Sequence, residues 1–290
     1  MNFHKSFQTI DTQVVGEAFR IIVQSPIMLA QENITEAAHA LNTQFEDTKQ
    51  LLLNEPRGHR GMNGCLVLPS AIASYRLLFF QHSASTNFKY EALVATMTAL
   101  IEQGIIELSR DNIYSIETVK GVYKAYVKLS ETKDTVLSVH LTLKPAHIEG
   151  DQVIIDNERR YFVVEKPQQL KAIVLDELAE ISTWGLLESE KYSTADGVIM
   201  YEQLDSSVRS VTFERDGYIL RSPGVDSTLA LLAVLGDETV KKNDSIFGSS
   251  IEISQKHETG YEIALTGYIT GIHQFVVDRE DPLQHGFIIV

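Results

Sequence analysis

The chain has 290 residues, 25 basic and 39 acidic, for a formal net charge of −14. That acidity, with no run of Lys or Arg longer than a pair, excludes a surface built for nucleic-acid phosphates or anionic membranes. Hydrophobic residues at 44% and charged residues at 22% exclude a disordered chain and supply a core for one large or two ordinary domains.

In chain order, the opening residues lack the apolar core of a secretory signal, so the expectation is a cytoplasmic protein. Residues 34–53 read as an amphipathic helix, with Ala37, Leu41 and Phe45 on one face and Glu36, Asp47 and Lys49 elsewhere. Cys65 is the only cysteine, which excludes an internal disulfide and a cysteine-based zinc site. A loop at 83–87 leads to 92–101, whose sequence ALVATMTALI has no charge on any face and predicts a helix buried all round. Alternation predicts neighbouring strands at 122–129 and 135–143, then strands at 153–155 and 161–164 around a turn at 156–159. Residues 176–187 read as another amphipathic helix, and 197–201 and 209–214 as strands. A loop at 222–227 leads to 228–235, TLALLAVL, a second helix with no charge. Strands close the chain at 245–253, 261–270 and 275–277. Its longest apolar stretch, 229–235, is far short of the roughly 20 residues that span a bilayer.

Each half therefore has one buried helix wrapped by strands. The pattern predicts two similar α/β halves meeting at a cleft, with helix N-termini that suit a carboxylate. Nucleotide, nucleophile-elbow and zinc-protease motifs are absent, and no two of the nine histidines stand at i, i+4, so no metal is expected.

Several segments resemble the proline racemase family, which also holds hydroxyproline epimerases and trans-3-hydroxyproline dehydratases. The stretch from Thr9-Ile10-Asp11-Thr12 through Val15-Gly16-Glu17 to Arg20 resembles IDTHTGGEPxRxI. Glu55-Pro56-Arg57-Gly58-His59, running on to Gly64, resembles EPRGHxDMxGA. Arg221-Ser222-Pro223 before the second buried helix resembles DRSPCGTGTSA, and Ser245-Ile246-Phe247-Gly248-Ser249 resembles SIIGS. Residues 269–287, with Asp281-Pro282-Leu283, resemble ITGxHxFxxDxxDPLxxGF. The resemblance implies a diaminopimelate epimerase-like fold of two pseudo-symmetric halves, here 1–125 with 270–290 crossing back, and 126–270. It implies catalysis without a cofactor, by one cysteine from each half acting on opposite faces of the substrate α-carbon. It also implies a small carboxylate ligand held by the helix N-termini, and often a homodimer.

The chain departs from that pattern where the chemistry lies. Aligning Phe79-Phe80 with the family's strand end, and 99–104 with its helix end, puts Lys89 at the first cysteine of MCGHGT and Glu91 at the histidine. Gly224 stands at the second cysteine and cannot move a proton. Leu220 replaces the acid before RSP, Val225 and Ser227 replace loop glycines, and Gln13 and Val15 replace a histidine and a glycine. Cys65 reads as packing.

The leading reading is a non-catalytic relative, a pseudoenzyme that keeps a cleft for a proline-like imino acid. The alternative is a dehydratase or isomerase using Lys89 as its one base, neutral because burial and the helix dipole disfavour its charge. Tyr90, Glu91, Val225 and Asp226 are the candidate ligand-binding positions, Tyr90 and Val225 through their backbone N–H groups. Against these stand plainer roles: Lys89 as a solvated first-turn lysine, Glu91 as a dipole partner, and Asp226 as the cap of its helix. Arg57 and His59 are expected to hold a loop, and Asp11 and Glu17 to sit in polar networks.

Overall fold

The computed structural model describes residues 3–29, 33–82, 88–255 and 260–288. The expected loop at 83–87 lies outside them. The chain divides into two units, Met1–Val139 with Thr266–Val290, and His140–Leu265.

The first unit is organised by a hairpin of β1 (Phe3–Val14) and β2 (Glu17–Gln24). It continues through β3 (Met62–Leu68), β4 (Tyr75–Phe80), β5 (Ile113–Thr118) and β6 (Gly121–Leu129). The late strand β16 (Gly267–Asp278) returns antiparallel to β1. Helices α1 (Ile34–Gln44) and α2 (Glu46–Leu53) close an apolar core that includes Leu41, Leu52, Leu78 and Phe80. Helix α3 (Tyr90–Glu102) packs on β1, β2 and β16 and is buried from Tyr90 to Ile101; the uncharged run 92–101 requires this, and Glu91 is buried with it.

The second unit repeats this pattern. Strand β7 (Val136–Leu143) leads into it. Its strands run β8 (His147–Glu149), β9 (Gln152–Ile155), β10 (Arg159–Glu165), β11 (Gly197–Gln203), β12 (Val208–Glu214), β13 (Lys242–Asp244), β14 (Ser250–Gln255) and β15 (Tyr261–Leu265). They neighbour one another in that spatial order. Helix α4 (Leu178–Lys191) packs Ile181 and Trp184 against Met200 and Phe213. Helix α5 (Val225–Leu235) is buried at Val225 and from Ser227 to Leu232, with Asp226 half-buried and Val234 in its last turn exposed.

Several expected elements are corrected. The helix expected over 34–53 breaks at Phe45, which leaves helical geometry at φ −123° and ψ 27°. The expected strand over 245–253 is interrupted because the Ser245 hydroxyl gathers the backbone N–H groups of Phe247 and Ser249 into a turn. The strand over 261–270 divides at Thr266, whose hydroxyl donates to the Leu137 carbonyl at 2.8 Å. Helix α5 begins at Val225, so residues 225–227 of the expected loop are helical. Strands β1 to β5 were not foreseen from alternation. Most of β2 and β3 is buried, so their apolar runs show no polar–apolar alternation.

Two predictions arise here. The two-residue turn between β1 and β2 places Val15 at φ 47° and Gly16 at φ 102°. A β-branched residue is strained there, whereas asparagine suits the turn. Val15→Asn is expected to raise stability by about 1 kcal/mol in urea unfolding. Between β4 and β5, Arg76 donates two hydrogen bonds to Glu117, at 3.1 and 3.0 Å, and holds its carboxyl below the usual carboxylate range. A depressed folded-state pKa contributes stability that is present at neutral pH and lost as pH falls through the folded value. Glu117→Gln should therefore cost about 1–3 kcal/mol at ~pH 7, and the gap to the native chain should narrow as the pH is lowered into the acid range.

Candidate functional site

The candidate positions form two clusters, one at the start of each buried helix. In the first unit Lys89 is the N-cap of α3, in extended backbone at φ −119° and ψ 131°. Its side chain makes no capping bond. Its ammonium lies 3.3 Å from Oε2 of Glu17 at the start of β2, with side-chain exposures of 13% and 3%. Lys89 is therefore not the solvated lysine that the plainer reading expects. Asn63 on β3 donates to the same Glu17 oxygen at 3.4 Å and to the Ala18 carbonyl at 3.0 Å. Gln81, just after β4, donates to Asn63 Oδ1 at 2.8 Å. A buried polar chain thus runs from Gln81 through Asn63 and Glu17 to Lys89.

Tyr90 and Glu91 open α3, and both are buried. Tyr90 stands edge-on to Phe88 and Tyr123, whose rings stack at 5.2 Å, so three aromatic rings crowd the helix start. Glu91 lies in the first turn, where its charge complements the dipole.

The EPRGH-like loop is held by a network of hydrogen bonds. Arg20 on β2 forks onto Asp11 at 2.9 and 2.7 Å and donates to the carbonyls of Leu52 and Arg57. Arg57 in turn bonds Asp281 at 2.8 Å. His82 bonds the His59 carbonyl and Asn54 Oδ1, both at 3.0 Å. Cys65 is fully buried in β3, and burial pushes its thiol far above the ordinary range. A thiol so placed does not reach the thiolate state that proton transfer uses.

In the second unit Gly224 is the N-cap of α5, at φ 76° and ψ 128°. This conformation is open to glycine and strained for a residue with a Cβ. A Cβ added there would lie 2.9 Å from Ser227 Oγ, and that hydroxyl is already bonded to Thr212. Val225, the first helical residue, is buried.

Asp226 is not the cap of α5, because the cap position is Gly224. Its carboxylate instead receives a fork from Arg159 on β10, at 2.5 and 2.8 Å, and the Tyr161 hydroxyl at 3.0 Å. Arg159 is 2% exposed. Burial alone opposes its charge, but Asp226 outweighs it and holds the guanidinium more firmly charged than usual. Burial, then Asp226, keep the Tyr161 hydroxyl protonated.

The structure thus gathers Lys89, Tyr90 and Glu91 at one helix start, and Gly224, Val225 and Asp226 at the other. Sequence reasoning missed Arg159 and Tyr161, and the partnership of Glu17 with Lys89. The only advance signal for the latter was the position of Glu17 in a motif, since the two lie 72 residues apart. Among the described residues no group of three or more His, Cys, Asp or Glu could hold a metal ion, and no helix is long and apolar enough to cross a membrane.

Comparison with known proteins follows the same lines. The family model described as proline racemase matches residues 9–164. A trans-3-hydroxy-L-proline dehydratase of Bacillus thuringiensis is 27% identical over 334 aligned positions, covering 100% of both chains. A proline racemase of Acetoanaerobium sticklandii is 25% identical, again covering 100% of both. A hydroxyproline epimerase of Agrobacterium vitis, crystallised with trans-4-hydroxy-L-proline, matches with a TM-score of 0.78 at 22% identity, covering 100% of this chain and 96% of that one. A phenazine biosynthesis PhzF-family protein of Enterococcus faecalis matches at 0.59 and 13% identity, covering 93% and 99%. These likenesses establish the fold as α/β of the diaminopimelate epimerase-like kind.

Proposed function

The chain belongs to the proline racemase family, and we propose that within it this protein has lost cysteine-based racemase and epimerase chemistry, so that a proline-like imino acid is at most held without being interconverted. The observation that carries this reading is the backbone at Gly224. The position has more than a missing thiol. Its φ of 76°, with Ser227 Oγ seated 2.9 Å from where a Cβ would project, is built around glycine.

The first unit supports the same reading. Lys89 is paired with a buried carboxylate, Glu17, and a buried carboxylate needs the lysine's positive charge as its counter-ion. An ammonium has no lone pair with which to take an α-proton. Each helix start also carries its own acid, Glu91 on α3 and Asp226 on α5. Both stand where a substrate carboxylate would gain from the helix dipole, and so already occupy that end of the helix. This opposes tight binding of a substrate carboxylate and weakens the expectation of a retained ligand.

A second reading rests on the position of Lys89 together with the full-length match to the dehydratase relative. A neutral Lys89 would take the α-proton of a 3-hydroxyproline. The Lys89 ammonium would return that proton to the C3 hydroxyl, which would leave as water, and the enamine would tautomerise to a pyrroline carboxylate. The test is NMR of the protein with L-proline, trans-4-hydroxy-L-proline and trans-3-hydroxy-L-proline. The proposal predicts neither epimer nor pyrroline. A pyrroline product that survives Cys65→Ser and disappears in Lys89→Ala would establish the second reading in its place.

A further inference from the structure

Away from both helix starts, the first unit carries a cavity of about 410 Å³ between the β1–β16 pair and α2. Lys5 pairs with Val277 across the two strands, and Phe7 and Leu51 complete an apolar floor with Val277. Phe7 is 1% and Leu51 4% exposed, so the floor is part of the folded core. The rim is basic. Lys5, Arg279 and His285 line it, and Asp47, which lies 3.8 Å from His285 Nδ1, is the only acid among the described residues that line it. In a chain where acids outnumber bases 39 to 25, a basic rim runs against the average surface. Lys5 makes no ion pair among the described residues. The wall that carries His285 is fixed, because Asn54 donates to its carbonyl at 3.1 Å and Arg57 donates to the Gln284 carbonyl at 3.4 Å.

We propose that this cavity binds a small organic anion, its anionic head between Lys5 and Arg279 and its hydrocarbon body on Phe7, Leu51 and Val277. The volume suits a metabolite-sized ligand, and an apolar floor with a few convergent polar groups is the usual form of such a site. The two cations supply the sign, and the floor supplies contact area that an inorganic ion cannot use.

The test uses the full chain with methyl-labelled Leu and Val, titrated with phenylacetate, its neutral counterpart phenylacetamide, and inorganic phosphate. Phenylacetate is expected to shift the Leu51 and Val277 methyl signals saturably. Phenylacetamide and phosphate are each expected to bind at least about tenfold more weakly. Lys5→Gln with Arg279→Gln should weaken phenylacetate by about tenfold or more, without altering the rest of the spectrum, because both side chains are exposed. Methyl signals that do not move up to about 10 mM phenylacetate would overturn the proposal. So would equal binding of the amide, equal binding of phosphate, or undiminished binding by the double variant.

Discussion

Replacing Arg159 by methionine should destabilise the protein by about 3–5 kcal/mol, the range for removing one partner of a buried ion pair. The size follows from what remains. Asp226 loses a two-pronged bond and keeps the Tyr161 hydroxyl, while Arg159, at 2% exposure, leaves a cavity among β9, β10 and α5. Asp226→Asn in the same chain removes the stranded charge and should recover more than half of the loss. The measurement is a double-mutant cycle from urea unfolding midpoints. If Arg159→Met costs no more than an ordinary surface substitution, Arg159 does not hold the start of α5.

The second large effect concerns restoring the thiols. Gly224→Cys should cost about 1–3 kcal/mol, from the positive φ and the crowding by Ser227. Gly224→Ala should cost about as much, since the Cβ and not the sulfur is at fault. Adding Ser227→Gly removes the hydroxyl 2.9 Å from the new Cβ and should return part of the loss. The two positions are coupled: the side chain missing at Gly224 has its space taken by Ser227, which stands where the family pattern has a glycine. Lys89→Cys meets no such backbone obstacle, because φ −119° admits any residue. It strips Glu17 of its cation, however, and should cost about 3–5 kcal/mol unless Glu17→Gln accompanies it. None of these variants is expected to gain racemase activity, because the acids at both helix starts remain.

The sequence was most legible where burial is uniform. The uncharged runs in α3 and α5 announced two central helices, and a helix without a polar face has nowhere to go but inside. The motifs fixed the order of the scaffold, and the structure explains their persistence: Arg20, Arg57 and Asp281 bind distant segments to one another. The motifs also placed Lys89 and Asp226 near the helix starts, although the uncharged runs put those starts at 92 and 228, two and three residues past Tyr90 and Val225. What remained hidden was partnership. Asp226 beside a helix start reads locally as a cap, and only the arrival of Arg159, 67 residues away, makes it an ion-pair member. Lys89 likewise reads as a solvated lysine or a free base until β2 brings Glu17 to it. Nor does a glycine at position 224 disclose in sequence whether its backbone still admits a side chain; the φ of 76° decides that.

The proposed loss of catalysis means that no group in this protein removes an α-proton from a proline-like acid. Its most direct test is deuterium exchange at the α-carbon in D₂O, with the protein at a concentration comparable to that of the substrate. L-Proline, trans-4-hydroxy-L-proline and trans-3-hydroxy-L-proline are each followed by proton NMR, beside an active hydroxyproline epimerase. The account predicts that the α-proton signals persist at the rate of the protein-free solution while the control exchanges. Loss of the signal with any of the three acids, abolished by Lys89→Ala, would contradict it and make Lys89 a working base.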